Sequence, residues 1–233
     1  MTPERIARLR RVLDLRQPDL TVVTDFVHKQ RNLSAIVRSC DAAGVLELHA
    51  VIGDEDYRAF RGTAMGSHQW VNVHRHRSIG AALIPLRDQG YQVVAAHPAP
   101  GAASFRDIDY TRPTALLLGA EKRGLSDAAR DRVDAFVTVP MMGMVSSLNV
   151  SVAAGVILAE AQAQRERAGL YKRARIDQAT YSRLFFEWGY PSVAAFCRER
   201  GLAYPPLTPE GDLQEPSSWY ARVRVGEAPL REE

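Results

Sequence analysis

Three short segments of the chain bring polar side chains together with glycine or methionine, and each could contact a ligand. Each follows a stretch of apolar residues, and in parallel α/β sheets ligands bind where strands end and loops turn into helices. The segments supply amides, a hydroxyl, a carboxylate and a guanidinium, which together include hydrogen-bond donors and hydrogen-bond acceptors. The candidate residues are Asn32, Arg38, Glu121, Ser147 and Asn149.

The first segment runs from Asn32 to Asp41. Asn32 stands where a helix N-cap belongs, directly before an apolar stripe at helical spacing. Arg38 lies on the opposite, polar side of that helix, which it shares with Ser34 and Asp41. On these residues alone, a capped helix with an exposed Arg38–Asp41 pair is the favoured interpretation. The stripe consists of Leu33, Ile36, Val37 and Cys40.

The second segment, Gly119 to Gly124, follows the most apolar predicted strand and holds Glu121. Glycines allow a backbone to approach a ligand closely. Leu125 and Ser126 replace the Lys-Ser/Thr of a phosphate-binding loop, so a nucleotide-triphosphate site is not predicted. The chain has no G-x-G-x-x-G, which argues against a dinucleotide-dependent oxidoreductase. The alternative is a tight turn with a surface carboxylate.

The third segment comes directly after a predicted strand. It begins with methionines around Gly143 and continues to Ser147 and Asn149. Ser147 is a natural N-cap for the long helix that follows, which is the alternative to a functional role. Asn149 falls inside a nearly all-apolar helix, and a buried amide needs partners that a ligand or a neighbouring loop could supply. An apolar loop that leads into polar groups suits a ligand with an apolar and a polar end.

The elements that must position these residues alternate between strands and helices. Apolar runs separated by helical patterns predict an α/β fold: a mostly parallel sheet with helices on both faces. Residues 53–69 and 97–106 have the composition of loops. The predicted strands are 20–24, 46–52, 70–73, 91–96, 114–118 and 135–139, and the predicted helices are 3–15, 32–43, 78–89, 126–133 and 148–167.

We predict two parts, 1–168 as the main domain and 169–233 as a helical extension with an irregular tail. The second part is rich in proline, contains Trp188 and Trp219, and has no strand alternation. Two basic clusters, within 1–16 and 162–183, could follow a phosphate backbone. The alternative is that both are solvated helix faces.

Composition excludes several classes of protein. The chain has 233 residues, 46% hydrophobic and 24% charged, as expected for a globular protein. Its start is charged, and the longest apolar stretch, 148–159, is too short to span a bilayer. The two cysteines lie far apart, so neither a disulfide framework nor a cysteine metal site is predicted. We expect a soluble, cytoplasmic protein.

The three segments, in this order and spacing, resemble the motifs of the SpoU, or TrmH, family of SPOUT methyltransferases. Any one motif is weak evidence, but three in order are strong. The similarity continues through Tyr171, and the extension resembles the longer members at 189–191 and 201–205. The matching stretches are 16–22, 27–29, 32–44, 105–114 and 143–153.

The resemblance implies an S-adenosylmethionine-dependent enzyme that methylates the ribose 2′-hydroxyl of a tRNA, at a guanosine of the D-loop. It also implies a homodimer and a deep trefoil knot at the end of the α/β domain, with no metal and no membrane. In the family, Arg38, Asn32, Glu121, Ser147 and Asn149 would occupy the catalytic site. The cofactor would contact Ala96, Leu118, Gly119, Val139, Met141 and Leu148, and RNA would contact Arg8, Arg11 and Arg165.

Arg38 is expected to bind a phosphate and stabilise the developing alkoxide, because arginine keeps its proton in proteins. Asn32 would orient Arg38 or that phosphate, and the other three residues would shape the pocket. Two alternatives remain: a ribosomal RNA ribose methyltransferase, and a catalytically silent RNA-binding protein on the same scaffold. A single basic helix before the first strand favours tRNA over ribosomal RNA, and the complete polar set argues against the silent protein.

Overall fold

The computed structural model of the chain describes residues 1–52, 69–121 and 123–231. It separates into two compact units: the sheet unit, Arg16–Arg175, and the helical unit, Met1–Leu15 together with Ile176–Glu233. The division after residue 168 stays a prediction. The predicted loop at 53–69 lies, except for its last residue, outside the described residues.

The sheet unit is built on a seven-stranded sheet in which every recorded pair of neighbouring strands is parallel. The strand order is β3-β2-β1-β6-β4-β7-β5. This confirms the predicted parallel α/β fold. The strands are β1 (Leu20–Asp25), β2 (Glu47–Val51), β3 (Asn72–His76), β4 (Gln92–Ala96), β5 (Ala103–Ser104), β6 (Thr114–Gly119) and β7 (Ala135–Thr138).

Helices cover both faces of this sheet, because successive strand residues point to opposite sides. Val22 packs in the cluster that includes α2 (Gln30–Ala42) and α5 (Val150–Arg167). Its neighbour Val23 packs in the cluster that includes α3 (Ile79–Asp88) and α4 (Asp127–Arg130). Central strands are therefore buried on both faces, and in β6 this gives a continuous apolar run at residues 115–118. The described helices are α1 (Pro3–Asp14), α2 (Gln30–Ala42), α3 (Ile79–Asp88), α4 (Asp127–Arg130), α5 (Val150–Arg167), α6 (Gln178–Gly189), α7 (Pro191–Arg200) and α8 (Pro216–Arg224).

Several predicted boundaries are wrong. The strand expected at 70–73 is β3, Asn72–His76, and the loop expected at 97–106 contains the two-residue strand β5. The long helix begins at Val150 and not at residue 148. The trefoil knot implied by the resemblance stays a prediction.

The helical unit joins the N-terminal helix to the C-terminal segment. Helix α1 packs against α6, burying Ile6, Leu9 and Leu13, and Arg5 Nη2 donates to the carbonyl oxygen of Trp188 at 3.2 Å. The predicted helical extension is confirmed by α6, α7 and α8. In the described parts of the chain, no helix is both long enough and apolar enough to cross a membrane.

Candidate active site

A cavity of about 600 Å³ opens at the carboxyl ends of β4, β6 and β7. Parallel strands deliver these ends to one edge of the sheet, where Ala96 lies beside Leu118 and Val137. Eight of the residues predicted for the catalytic and cofactor sites line this one cavity. They are Ala96, Leu118, Gly119, Glu121, Val139, Ser147, Leu148 and Asn149.

The glycine loop after β6 is closed by its own backbone. Ala120 N donates to Gly124 O at 3.0 Å, and Gly124 N donates to Ala120 O at 2.8 Å. Gly124 has φ +65°, which favours glycine. A Cβ on Gly119 would lie 2.6 Å from the carbonyl carbon of Gly124, so no side chain fits there.

The start of α4, two residues after this loop, is anchored to β1 through a residue that the sequence patterns did not reveal. Asp25 ends β1 and is 1% exposed, and its Oδ2 accepts from the backbone nitrogen of Ser126 at 2.7 Å. A charge-assisted bond to a backbone donor is strong in a buried setting. The position of Asp25 just after a buried apolar run, with its side chain at a strand end, is the signal that could have identified it.

An amide–carboxylate cluster, formed by Asn32, Glu121 and Asn149, connects the three sequence segments. Asn32 Nδ2 donates to Glu121 Oε1, and Asn32 Oδ1 accepts from Asn149 Nδ2 at 3.4 Å. Lys29 Nζ lies 3.5 Å from the same carboxylate oxygen of Glu121. Asn32 is therefore not the N-cap of α2: it lies inside the helix, and its side chain holds two loops together.

Asn149 caps α5, and Ser147 does not. The expectation of a buried amide inside the helix is wrong, because Asn149 is exposed and precedes the first helical residue, Val150. Asn149 Oδ1 accepts from the backbone nitrogen of Ser151 at 2.9 Å and from Ser151 Oγ at 2.6 Å. The side-chain oxygen of Asn149 thus caps the first turn of α5, and its side-chain nitrogen donates a hydrogen bond to Asn32. Ser147 is exposed and lines the cavity, so its hydroxyl is available to a ligand.

Arg38 lies on the exposed side of α2 and does not line the cavity. Within the described residues, no hydrogen bond or ion pair of its guanidinium is recorded. The expected pair with Asp41 is wrong: Asp41 pairs with Arg16, whose Nη2 lies 2.6 Å from Asp41 Oδ1. Met141 is half-buried and is also not a lining residue.

The three arginines expected to contact RNA differ in how far their side chains are exposed to solvent. Arg8 and Arg11 are exposed on α1. The prediction for Arg165 is wrong, because its side chain is 0% exposed. Its guanidinium donates to Asp19 Oδ1 at 2.6 Å, to Gln17 Oε1 at 3.1 Å and to three backbone carbonyls, and is therefore fully used inside the sheet unit.

Asp19 receives a second arginine, Arg175, whose Nη1 and Nη2 donate to its two oxygens at 2.6 and 2.9 Å. Burial alone would raise the pKa of Asp19, but the hydrogen bonds and positive charges of Arg175 and Arg165 outweigh it and hold this pKa below its ordinary value. Part of the second basic cluster therefore stabilises the fold and is not a solvated face.

Replacing Arg165 with Met is expected to lower the free energy of unfolding by about 3 kcal/mol. The buried acceptors would lose their donor, and the Asp19 carboxylate would lose one of the two guanidinium groups that pair with it. The control is Arg167→Met two residues along α5, where the side chain is 69% exposed. That change should stay within about 0.5 kcal/mol. Urea unfolding measures both, and equal values for the two variants would contradict a buried structural role.

Further cavity residues were missed by the sequence analysis, among them His97, Thr138 and Arg123. His97 follows β4 directly, and burial together with the positive charge of Arg130 lowers the pKa of its imidazole. Thr138 ends β7, and His97 and Arg123 lie one and four residues beyond the ends of β4 and β6, which are the positions that should have marked them. Among the described residues, no group of three or more His, Cys, Asp or Glu side chains is placed to hold a metal ion.

The chain belongs to the SpoU rRNA Methylase family, which it matches over residues 19–159. It also matches the description "SpoU, rRNA methylase, C-terminal" over residues 163–216. The sequence is 46% identical to the Escherichia coli (strain K12) tRNA (guanosine(18)-2′-O)-methyltransferase over 227 residues, which cover 97% of this chain and 99% of the relative.

Two solved structures show the same fold. The Aquifex aeolicus TrmH/SpoU tRNA modifying enzyme is 38% identical and has a TM-score of 0.74, covering 82% of this chain and 97% of its own. The SpoU methyltransferase AviRb from Streptomyces viridochromogenes, in complex with the cofactor AdoMet, is 31% identical with a TM-score of 0.55. The match covers 65% of this chain and 62% of AviRb.

Proposed function

We propose that this chain transfers a methyl group from S-adenosylmethionine to the ribose 2′-oxygen of guanosine 18 in the D-loop of tRNA. The observation that carries the proposal is the 46% identity, over nearly the full length of both proteins, to a relative with that named activity. The family description names rRNA, but the relative that aligns over almost the whole chain acts on tRNA. The substrate RNA is therefore proposed to be tRNA.

The cavity fits S-adenosylmethionine in volume and character. About 600 Å³ lies within the usual range for ligand pockets, and its walls combine apolar side chains with a glycine-lined backbone. Ala96, Leu118, Gly119, Val139 and Leu148 would hold the cofactor, and AviRb was solved with AdoMet. When bound, the cofactor supplies a methyl group on a positively charged sulfur, which is already a strong electrophile.

The protein's own task is to align the nucleophile and stabilise its charge, since holding two reactants in line replaces a bimolecular encounter. The amide–carboxylate cluster fixes the relative positions of α2, the glycine loop and the start of α5. Ser147 presents a hydroxyl at the cavity wall. Arg38 is proposed to bind a phosphate of the RNA and to stabilise the developing alkoxide, because its exposed guanidinium can grip phosphate with two donors.

The function is tested with labelled methyl groups and tRNA transcripts that differ at one sugar. Normal transcript is expected to accept one methyl group, and a transcript with deoxyguanosine at position 18 is expected to accept none, because the nucleophile is missing while the base is unchanged. A transcript with deoxyribose at the next position serves as the control. Labelling of the deoxyguanosine transcript would show methylation of a base instead.

A homodimer is proposed from the surface beside the cavity. Met142 and Met144 in the third segment are almost fully exposed, and Val145 and Val152 are at least half exposed. Exposed apolar residues in such a group mark interaction surfaces, and a second copy of the chain would cover them. Sedimentation at micromolar concentration is expected to give twice the 25.8 kDa chain mass, and a monomer would contradict the dimer.

We expect the protein to act in the cytoplasm.

A further inference from the structure

The helical unit contains a second cavity, of about 610 Å³, between α6 and the segment 204–209. All of its lining residues belong to the helical unit, and nothing in the proposed reaction uses it. We call this cavity the aromatic slot. Its rings come from Tyr181, Phe185, Phe186 and Tyr204, and prolines 205, 206 and 209 complete its walls.

The rings of the slot are held by contacts with one another and by hydrogen bonds to neighbouring carboxylates. Phe186 stacks on Tyr204 with ring centroids 4.6 Å apart and planes inclined by 11°. The hydroxyl of Tyr204 donates to Glu187 Oε1 at 2.8 Å, and the hydroxyl of Tyr181 donates to Asp14 Oδ1 at 3.1 Å. Both phenylalanines are buried, whereas both tyrosines are half-buried. The two tyrosine rings are thus pre-positioned and still partly accessible.

Polar groups lie at the edges of the slot. Gln178, Ser182 and Thr208 supply an amide and two hydroxyls along its walls. Such groups can read the edge of a planar ligand, which apolar walls alone cannot do.

Positive charge is also present in the walls. Arg10 lines the slot, donates to the carbonyl oxygen of Pro209 and stacks over Phe185 at 5.7 Å. Arg183 lines it as well and pairs with Glu187 at 3.2 Å. The nearby carboxylates, Asp14 and Glu187, accept from the tyrosine hydroxyls. Arg10 is exposed, and α1 also carries the exposed Arg8 and Arg11, so the helix that supplies Arg10 to the slot carries exposed positive charge.

We infer that the aromatic slot binds an unpaired nucleobase of the RNA substrate, which rests on the proposed function. Proteins recognise unpaired bases by stacking them on aromatic rings and reading their edges with polar groups, while basic residues hold the backbone. The slot provides all three. A proline-rich peptide could also enter an aromatic groove, but it would not use the arginines, so the charge favours RNA.

Two variants of the full chain test the slot. Ser182→Leu places a branched apolar side chain in the slot from an exposed position, and Tyr181→Leu removes a stacking surface. The matched control is Ala179→Leu, which is exposed on the same helix but does not line the slot. Equilibrium binding uses tRNA transcripts that carry 2-aminopurine at one unpaired position each, because stacking quenches its fluorescence.

With the unmodified protein and with Ala179→Leu, at least one position is expected to show quenching on binding. Ser182→Leu and Tyr181→Leu are expected to lose that quenching and to raise the Kd for tRNA about tenfold. Unchanged quenching and Kd in both variants would overturn the inference, and methyl transfer by the unmodified protein would then still support the proposed function. Binding of a decaproline peptide that Ser182→Leu abolishes, without any change in RNA affinity, would overturn it in favour of a peptide site.

Discussion

Methyl transfer is expected to fall about 10³-fold when Arg38 is replaced by Ala, because the developing alkoxide and the adjacent phosphate lose their positive partner. The fold and the affinity for S-adenosylmethionine should stay unchanged, since Arg38 is exposed on α2 and does not line the cavity. Single-turnover transfer of labelled methyl to tRNA measures the first effect, and calorimetric titration of the cofactor measures the second.

Arg38→Lys should also be a poor enzyme, because a point charge cannot reproduce the planar fork that grips phosphate. The matched control is Arg31→Ala, which removes another exposed arginine from the same helix and should leave the rate of transfer nearly normal. Near-normal turnover by Arg38→Ala would place the catalytic centre elsewhere.

Replacing Asn32 with Asp is expected to slow methyl transfer about 100-fold, because small displacements of a positioned group have effects of that size. The change removes the amide that donates to Glu121 and puts a second carboxylate against it, in a site where Asn32 is 7% exposed. The amide–carboxylate cluster should then separate. The effect is measured as the rate of methyl transfer and the affinity for S-adenosylmethionine.

A second change tests whether this contact is responsible. Glu121→Gln restores one donor and one acceptor to the pair, so the combination of Asn32→Asp with Glu121→Gln should recover at least a tenth of the normal rate, about tenfold above Asn32→Asp alone. Both proteins should unfold with a single transition. If the double variant is no faster than Asn32→Asp, Asn32 acts through something other than its bond to Glu121.

The central strands and the meeting of three segments were predictable from the sequence. Strand β6 reads as a continuous apolar run because both of its faces are covered, and burial of this kind leaves a local signature. The carboxyl ends of parallel strands share one edge of the sheet, so the glycine loop and the third segment had to meet there. The family resemblance added which polar residues to look for.

Partners that lie far apart in sequence were not predictable. Asn32 and Ser147 have the side chains of N-caps, but α2 begins at Gln30 without a side-chain cap, and Asn149 caps α5. Local preference was overridden by contacts between α2 and the glycine loop. Counting charges along the sequence placed Arg165 in a basic cluster, because such a count carries no information about burial. In the structure Arg165 pairs with Asp19, which lies near the start of the sheet unit, whereas Arg165 lies near its end.

The placement of β6 between β1 and β4 also constrains the order in which the chain can fold. Leu20 lies beside Thr114, about 90 positions further along the chain, so the innermost pair of strands is closed by a long-range contact. During synthesis, β1 and β2 leave the ribosome well before β6 exists, and β1 then has one unpaired edge. Until β6 arrives, the unpaired backbone groups of that edge are open to wrong pairing, and during this interval the nascent chain needs protection from aggregation.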